Sequence, residues 1–99
     1  MLRLREILWK DTVVEKLDAK HGVETDEVEE VLFTRPHVRR AERGRVRGED
    51  LYVAYGPTRG GRLLTVFFLG KQGGVAMPIS ARDMTLAERR YYERHATGT

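Results

Sequence analysis

The spacing of apolar positions along the chain divides it into segments with different periods. Ile7 and Trp9 alternate with Leu8, so residues Arg5 to Trp9 read as a short strand. From Asp11 to Gly22 the apolar residues Val13, Val14 and Leu17 recur at three- and four-residue intervals, which predicts a helix. Thr12 and Glu15 have the spacing of a capping box at its start, and Gly22 stands where a left-handed C-terminal cap belongs. A second helix is expected from Thr25, with Asp26 and Glu27 complementing its N-terminal dipole and Val28, Val31 and Leu32 as its buried stripe. Arg35-Pro36 ends it, because the residue before proline is pushed out of the helical region.

Beyond the proline the period changes to two. His37 to Arg47 has only Val38, Ala41 and Val46 to bury, so it reads as an edge strand or a basic hairpin arm. Leu51 to Gly56 and Leu63 to Gly70 are nearly continuous β-prone runs joined by the turn Pro57-Thr58-Arg59-Gly60-Gly61, and they predict the central hairpin. Val75 to Ser80 supplies another strand, with Pro78 pointing to an edge or a bulge. Thr85 and Glu88 form a further capping box, opening a helix that continues through Arg94, and Thr97 to Thr99 is expected to fray. Trp9, Phe67 and Phe68 are assigned to the core, and one of Tyr91 and Tyr92 is expected to join it. The pattern predicts a small α+β domain over residues 1–99. In it two N-terminal helices and a C-terminal helix pack against an antiparallel sheet of three to five strands.

Composition narrows the chemistry. The chain has 99 residues, enough for one core, and no cysteine, so thiolate metal sites, disulfides and a cysteine nucleophile are excluded. The run Leu63 to Leu69 falls short of the roughly 18 apolar residues of a membrane helix. The charge-rich start Met1-Leu2-Arg3-Leu4-Arg5-Glu6 does not resemble a signal peptide, so a cytoplasmic location is expected. Its three histidines, His21, His37 and His95, are isolated in sequence and predict no metal site. Ser80 is the only serine and lacks a nucleophile-elbow context. Gly60-Gly61 and Gly73-Gly74 are not followed by a phosphate-loop lysine, so no nucleotide cofactor is expected.

What remains is arginine. Residues 34–62 hold 8 Lys/Arg against 3 Asp/Glu, whereas residues 1–33 hold 5 against 9. A basic middle suggests a surface that meets a polyanion. Arg43, Arg45 and Arg47 would share one face of an extended arm, with Arg39 and Arg40 nearby; a charged edge that discourages aggregation would look the same. Arg82 leaves a strand end just before the capped helix that carries Arg89 and Arg90, a place where anions are often held. Pairing of Arg82 with Asp83 or Glu88 is the structural alternative. Lys20 and His21 suit a helix C-terminus by charge alone.

Several of these residues together resemble a known family. Trp9, Lys20-His21-Gly22-Val23, Gly61-Arg62 with Leu64 and Val66, Ile79-Ser80-Ala81-Arg82, Glu88-Arg89 and Tyr92 follow in order a pattern similar to the BrnT toxins of bacteria. The resemblance implies a RelE/ParE-like fold and a ribonuclease toxin that blocks translation. It also implies a cognate antitoxin whose DNA-binding domain represses the operon. Cleavage by attack of a ribose 2′-OH on the adjacent phosphate needs no metal where cations carry the added charge. On this basis Arg62, Lys71 and Arg82 are the expected phosphate-facing cations, with Glu88 or His21 as proton acceptor. Lys20, Arg39, Arg40, Arg43, Arg45, Arg47, Arg89, Arg90 and Tyr92 are the expected RNA contacts. The chain departs from the family at Lys10 and Leu17, and at Met77-Pro78, where the family's last strand begins with an arginine. That last departure keeps open a second reading, a non-catalytic module of the same fold that binds nucleic acid or protein.

Overall fold

The computed structural model describes residues 3–42, 44 and 49–96. The expected arm residues Arg43, Arg45, Val46 and Arg47, and the expected fraying at Thr97 to Thr99, lie outside them. Along the chain the elements are β1 (Glu6–Ile7), α1 (Asp11–His21), α2 (Thr25–Phe33), β2 (His37–Glu42), β3 (Asp50–Pro57), β4 (Leu63–Lys71), β5 (Val75–Asp83) and α3 (Leu86–Ala96). The strands form one five-stranded sheet in the order β1-β5-β4-β3-β2, which places the apolar run of β4 at its centre.

The expected antiparallel sheet is in fact mixed: β1 pairs with β5 in parallel, Glu6 opposite Val75 and Ile7 opposite Ala76. Close approach at Gly74 makes this possible. Gly74 has φ +77°, and a Cβ there would stand 2.7 Å from the Arg3 carbonyl oxygen. Its own carbonyl accepts from Arg5 N at 2.7 Å, and Leu8 N continues the ladder to the Ala76 carbonyl.

Gly22, at φ 59°, caps α1 as expected. The helix begins at Asp11, so Thr12 falls inside the first turn and the expected Thr12–Glu15 box does not cap it; the Lys10 carbonyl takes the first bonds, from Val13 N and Val14 N. In α2 the stripe Val28, Val31 and Leu32 is buried as expected. The helix stops at Phe33, with Arg35 at φ 47° turning the chain into β2. Pro78 marks a bulge: Phe67 pairs with Ser80 and Phe68 with Pro78, leaving Ile79 as the extra residue.

Alternation along the strands separates two faces. On one, Ala54, Leu64, Val66, Phe68, Ala76 and Ala81 pack with Leu17, Val28, Val31 and Leu32 of α1 and α2 to form the core. Phe67 points the other way and is half-buried, contrary to its assignment to the core. Trp9 is also only half-buried; its rings pack against the core while the indole N–H donates to Glu29 Oε2 at 2.8 Å. Sequence could not separate Phe67 from Phe68, because only the pairing register decides which one faces the helices. On the second face α3 lies across β2 and β3. None of its side chains is buried, Tyr91 and Tyr92 included.

Candidate functional site

Strand register alone assembles a row on the second face. His37 pairs with Tyr55, Tyr55 with Thr65, and Thr65 with Arg82, so one side chain from each of β2, β3, β4 and β5 stands in line. The next row is Arg39, Val53, Phe67 and Ser80, and Leu51, Leu69 and Met77 form a third. Helix α3 crosses the first row; in the second Arg39 is exposed, Phe67 and Ser80 are half-buried and Val53 is buried.

At the Arg82 end the α3 capping box has a double use. Thr85 N donates to Glu88 Oε1 at 2.9 Å and Glu88 N to Thr85 Oγ1 at 3.1 Å, the box that the sequence predicts. The same carboxylate accepts from Arg82 Nη1 at 2.6 Å, from Arg82 Nη2 at 2.9 Å and from Thr65 Oγ1 at 3.0 Å. Burial opposes its charge, but the Arg82 and Thr85 bonds outweigh that and hold its pKa at about 2. A carboxylate that acidic is a feeble proton acceptor at neutral pH, and its geometry suits the orienting of Arg82. The Arg82 guanidinium also lies 5.4 Å from the centre of the Phe67 ring.

At the other end Arg39 Nε donates to Tyr55 Oη at 3.2 Å, and His37 Nε2 is 3.0 Å from Tyr91 Oη. Four rings cluster here: Tyr91 is 5.3 Å from His37, 5.2 Å from Tyr55 and 4.0 Å from His95, and His37 is 4.9 Å from His95. Burial, then the charges of His95 and Arg39, push the His37 pKa below its ordinary value. Tyr55 links the two ends, since it is buried, bonded to Arg39, and stands in the row that ends at Arg82, whose guanidinium pKa is raised by its hydrogen bond to Glu88.

Among the residues singled out from sequence, the structure brings Arg39, Lys71, Arg82 and Glu88 to this face. Lys71 sits at the far end of β4, ion-paired with Glu49. Arg62 is elsewhere, at the end of the β3–β4 loop, and all five of its N–H donors are used. Nε donates to Asp83 at 2.7 Å; Nη1 donates to the Gly22 carbonyl at 2.9 Å and to Glu27 at 3.1 Å. Nη2 donates to the His21 carbonyl at 3.1 Å and to Asp83 at 3.3 Å. Arg62 thereby ties the α1–α2 junction to the end of β5, and its hydrogen bond holds the Asp83 pKa down. His21 belongs to that junction, away from the row. Lys20 is exposed on α1, and Arg40 lies on the helix-side face of β2, 3.4 Å from Asp50. Arg89 and Arg90 are exposed on α3, and Tyr92 is half-buried.

Three residues of the row, His37, Tyr55 and Thr65, and Tyr91 of α3 beside it, were not singled out as site residues. The available signal was the alternation of His37 with Arg39, which puts both on one face of β2. Among the described residues no group of His, Asp and Glu could hold a metal ion, and no helix is long and apolar enough to cross a membrane.

Comparison with known proteins defines the class. Residues 9–88 match the family model described as the ribonuclease toxin, BrnT, of type II toxin-antitoxin systems. The chain belongs to the BrnT family. As a type II toxin it is expected to act on RNA and to be paired with a cognate antitoxin. The crystal structure of the Brucella abortus ribonuclease toxin BrnT superposes with a TM-score of 0.58 at 22% identity, covering 81% of this chain and 96% of that one. That likeness establishes the shared fold. No curated protein matches the chain.

Proposed function

We propose that the chain is a metal-independent endoribonuclease whose substrate lies along the second face, over the exposed Arg39 and the half-buried Phe67 and Arg82. The observation that carries this is the pair of arginines on that face. Arg82 is fixed by Glu88, Arg39 is fixed by Tyr55, and Phe67, in the row of Arg39 and beside Arg82, is a surface on which a base can stack. Two oriented guanidinium groups can carry the charge that develops when a 2′-OH attacks the neighbouring phosphorus. Lys71 extends the cationic track along β4. Cutting RNA in this way would stop translation, and an antitoxin bearing a DNA-binding domain would hold the toxin inactive.

Met77 favours a second reading, in which the fold binds RNA without cutting it. It pairs with Leu69 on the same face, so an apolar side chain stands where the family carries an arginine. Incubation of a long single-stranded RNA with the purified protein in EDTA separates the readings. Cutting that is lost in folded Arg82→Ala and weakened in Arg39→Ala supports the nuclease. Salt-dependent RNA binding with intact RNA supports the binding module.

A further inference from the structure

On the nuclease reading just given, the 2′-OH must lose a proton, and the carboxylate nearest to Arg82 is too acidic to take it. His21, the other expected acceptor, lies at the α1–α2 junction with its carbonyl held by Arg62. The first row offers a different route. Three interstrand steps of about 4.8 Å put roughly 14 Å between the backbones of His37 and Arg82. Tyr91, reaching down from α3, narrows that gap: its ring stands over Tyr55, the row's next member toward Arg82. Both His37 and Tyr91 are half-buried, so the pair keeps contact with solvent.

We infer that Tyr91 and His37 form a proton relay, with the Tyr91 hydroxyl as the group that meets the ribose 2′-OH and His37 Nε2 as the acceptor behind it, 3.0 Å away. In the step, the 2′-OH proton passes to the Tyr91 oxygen as the phenol's own proton passes to Nε2, leaving a neutral tyrosine and an imidazolium. The 2′-oxygen forms the new bond to phosphorus, the P–O5′ bond breaks, and the 5′-oxygen leaves with a proton from water. The products are a 2′,3′-cyclic phosphate and a free 5′-OH, and the imidazolium returns its proton to the hydroxide left behind. The relay requires the tautomer with Nε2 unprotonated.

The groups facing the imidazole favour that state. Arg39 on β2 and His95 on α3 both act on it to disfavour its charged form, and Tyr55 on β3 and Tyr91 on α3 present phenol rings, so no carboxylate in this set stabilises an imidazolium at rest. The acid limb of the rate profile therefore falls below the ordinary histidine value of 6.5. Below that limb His37 is charged and cannot accept the proton.

The test is cleavage of a short single-stranded RNA in EDTA by the full chain, followed from pH 5 to 9, for wild type, His37→Gln, Tyr91→Phe and His95→Gln, with thermal melts for each. His37→Gln keeps a polar partner for Tyr91 but cannot titrate. It should lower kcat by about 10²- to 10⁴-fold with little change in KM, and abolish the acid limb. Tyr91→Phe preserves the ring packing and should match it, and so decides the question if His37→Gln melts early. His95→Gln removes a charge that depresses His37 and should move the limb to higher pH. Wild-type rates in His37→Gln and Tyr91→Phe, a lowered rate with the limb unmoved, or a limb indifferent to His95→Gln would each overturn the relay and leave the nuclease standing. If the wild-type protein leaves the RNA intact, the nuclease reading and the relay fall together.

Discussion

Glu88 is the point where stability and site geometry meet, and replacing it with glutamine should expose both. The carboxylate accepts from Arg82, Thr65 and Thr85, and its pKa stands at about 2 instead of 4.5. At 1.36 kcal/mol per unit this difference corresponds to a ceiling of roughly 3 kcal/mol at neutral pH. Because the Arg82 side chain keeps 34% of its surface in water, the realised value should be nearer about 2 kcal/mol. The sign follows from the direction of the shift. A carboxyl with a depressed folded-state pKa contributes fully above its unfolded value, and loses that contribution as pH falls from 4.5 to about 2. Urea denaturation of wild type and Glu88→Gln, followed by circular dichroism in steps from pH 7 to pH 2, reads this directly. The variant should be weaker by about 2 kcal/mol at pH 7, and the two curves should converge toward pH 2. A difference that stays constant across that range would show that Glu88 stabilises the fold through packing and not through its charge.

Two more substitutions test the frame around the site. Arg62→Lys keeps the charge but cannot reproduce a five-donor fork, so the melting temperature should drop by an amount equivalent to about 1–3 kcal/mol, with RNA affinity unchanged; an unaltered melt would remove Arg62 as the tie between α1 and β5. Gly74→Ala would force a Cβ to within 2.7 Å of the Arg3 carbonyl, so the Arg5 and Leu8 amides should lose hydrogen-exchange protection while those of β3 and β4 keep it.

What the sequence reveals here is what short-range rules control. The α2 stripe, the left-handed cap at Gly22, the Thr85–Glu88 box and the bulge at Pro78 each depend on residues within one or two turns of each other, and each appears in the structure. The two faces of the sheet depend on register between distant strands. In β4 both sides of the strand are apolar, so alternation cannot tell Phe67 from Phe68 or show which helix covers which side. The site follows the same division. Arg82 and Glu88 were legible because a turn and a capping box place them close together. The alignment of Arg39 and His37 with them passes through three strand pairings, which no local pattern records. Arg62 was misleading for the same reason, since its five acceptors come from residues 21–27 and from Asp83.

Helix α3 buries none of its own side chains, yet it carries both Glu88 and Tyr91. It is held to the sheet by a salt bridge at one end and a stack of rings at the other. An element attached in this way can open as a local unit, at a free energy well below that of unfolding the sheet. Lifting it would release Arg82 from its carboxylate and separate Tyr91 from His37 in a single event, leaving the core intact. The population of closed α3 would then set the fraction of molecules able to work at any moment, independently of how stable the domain is as a whole.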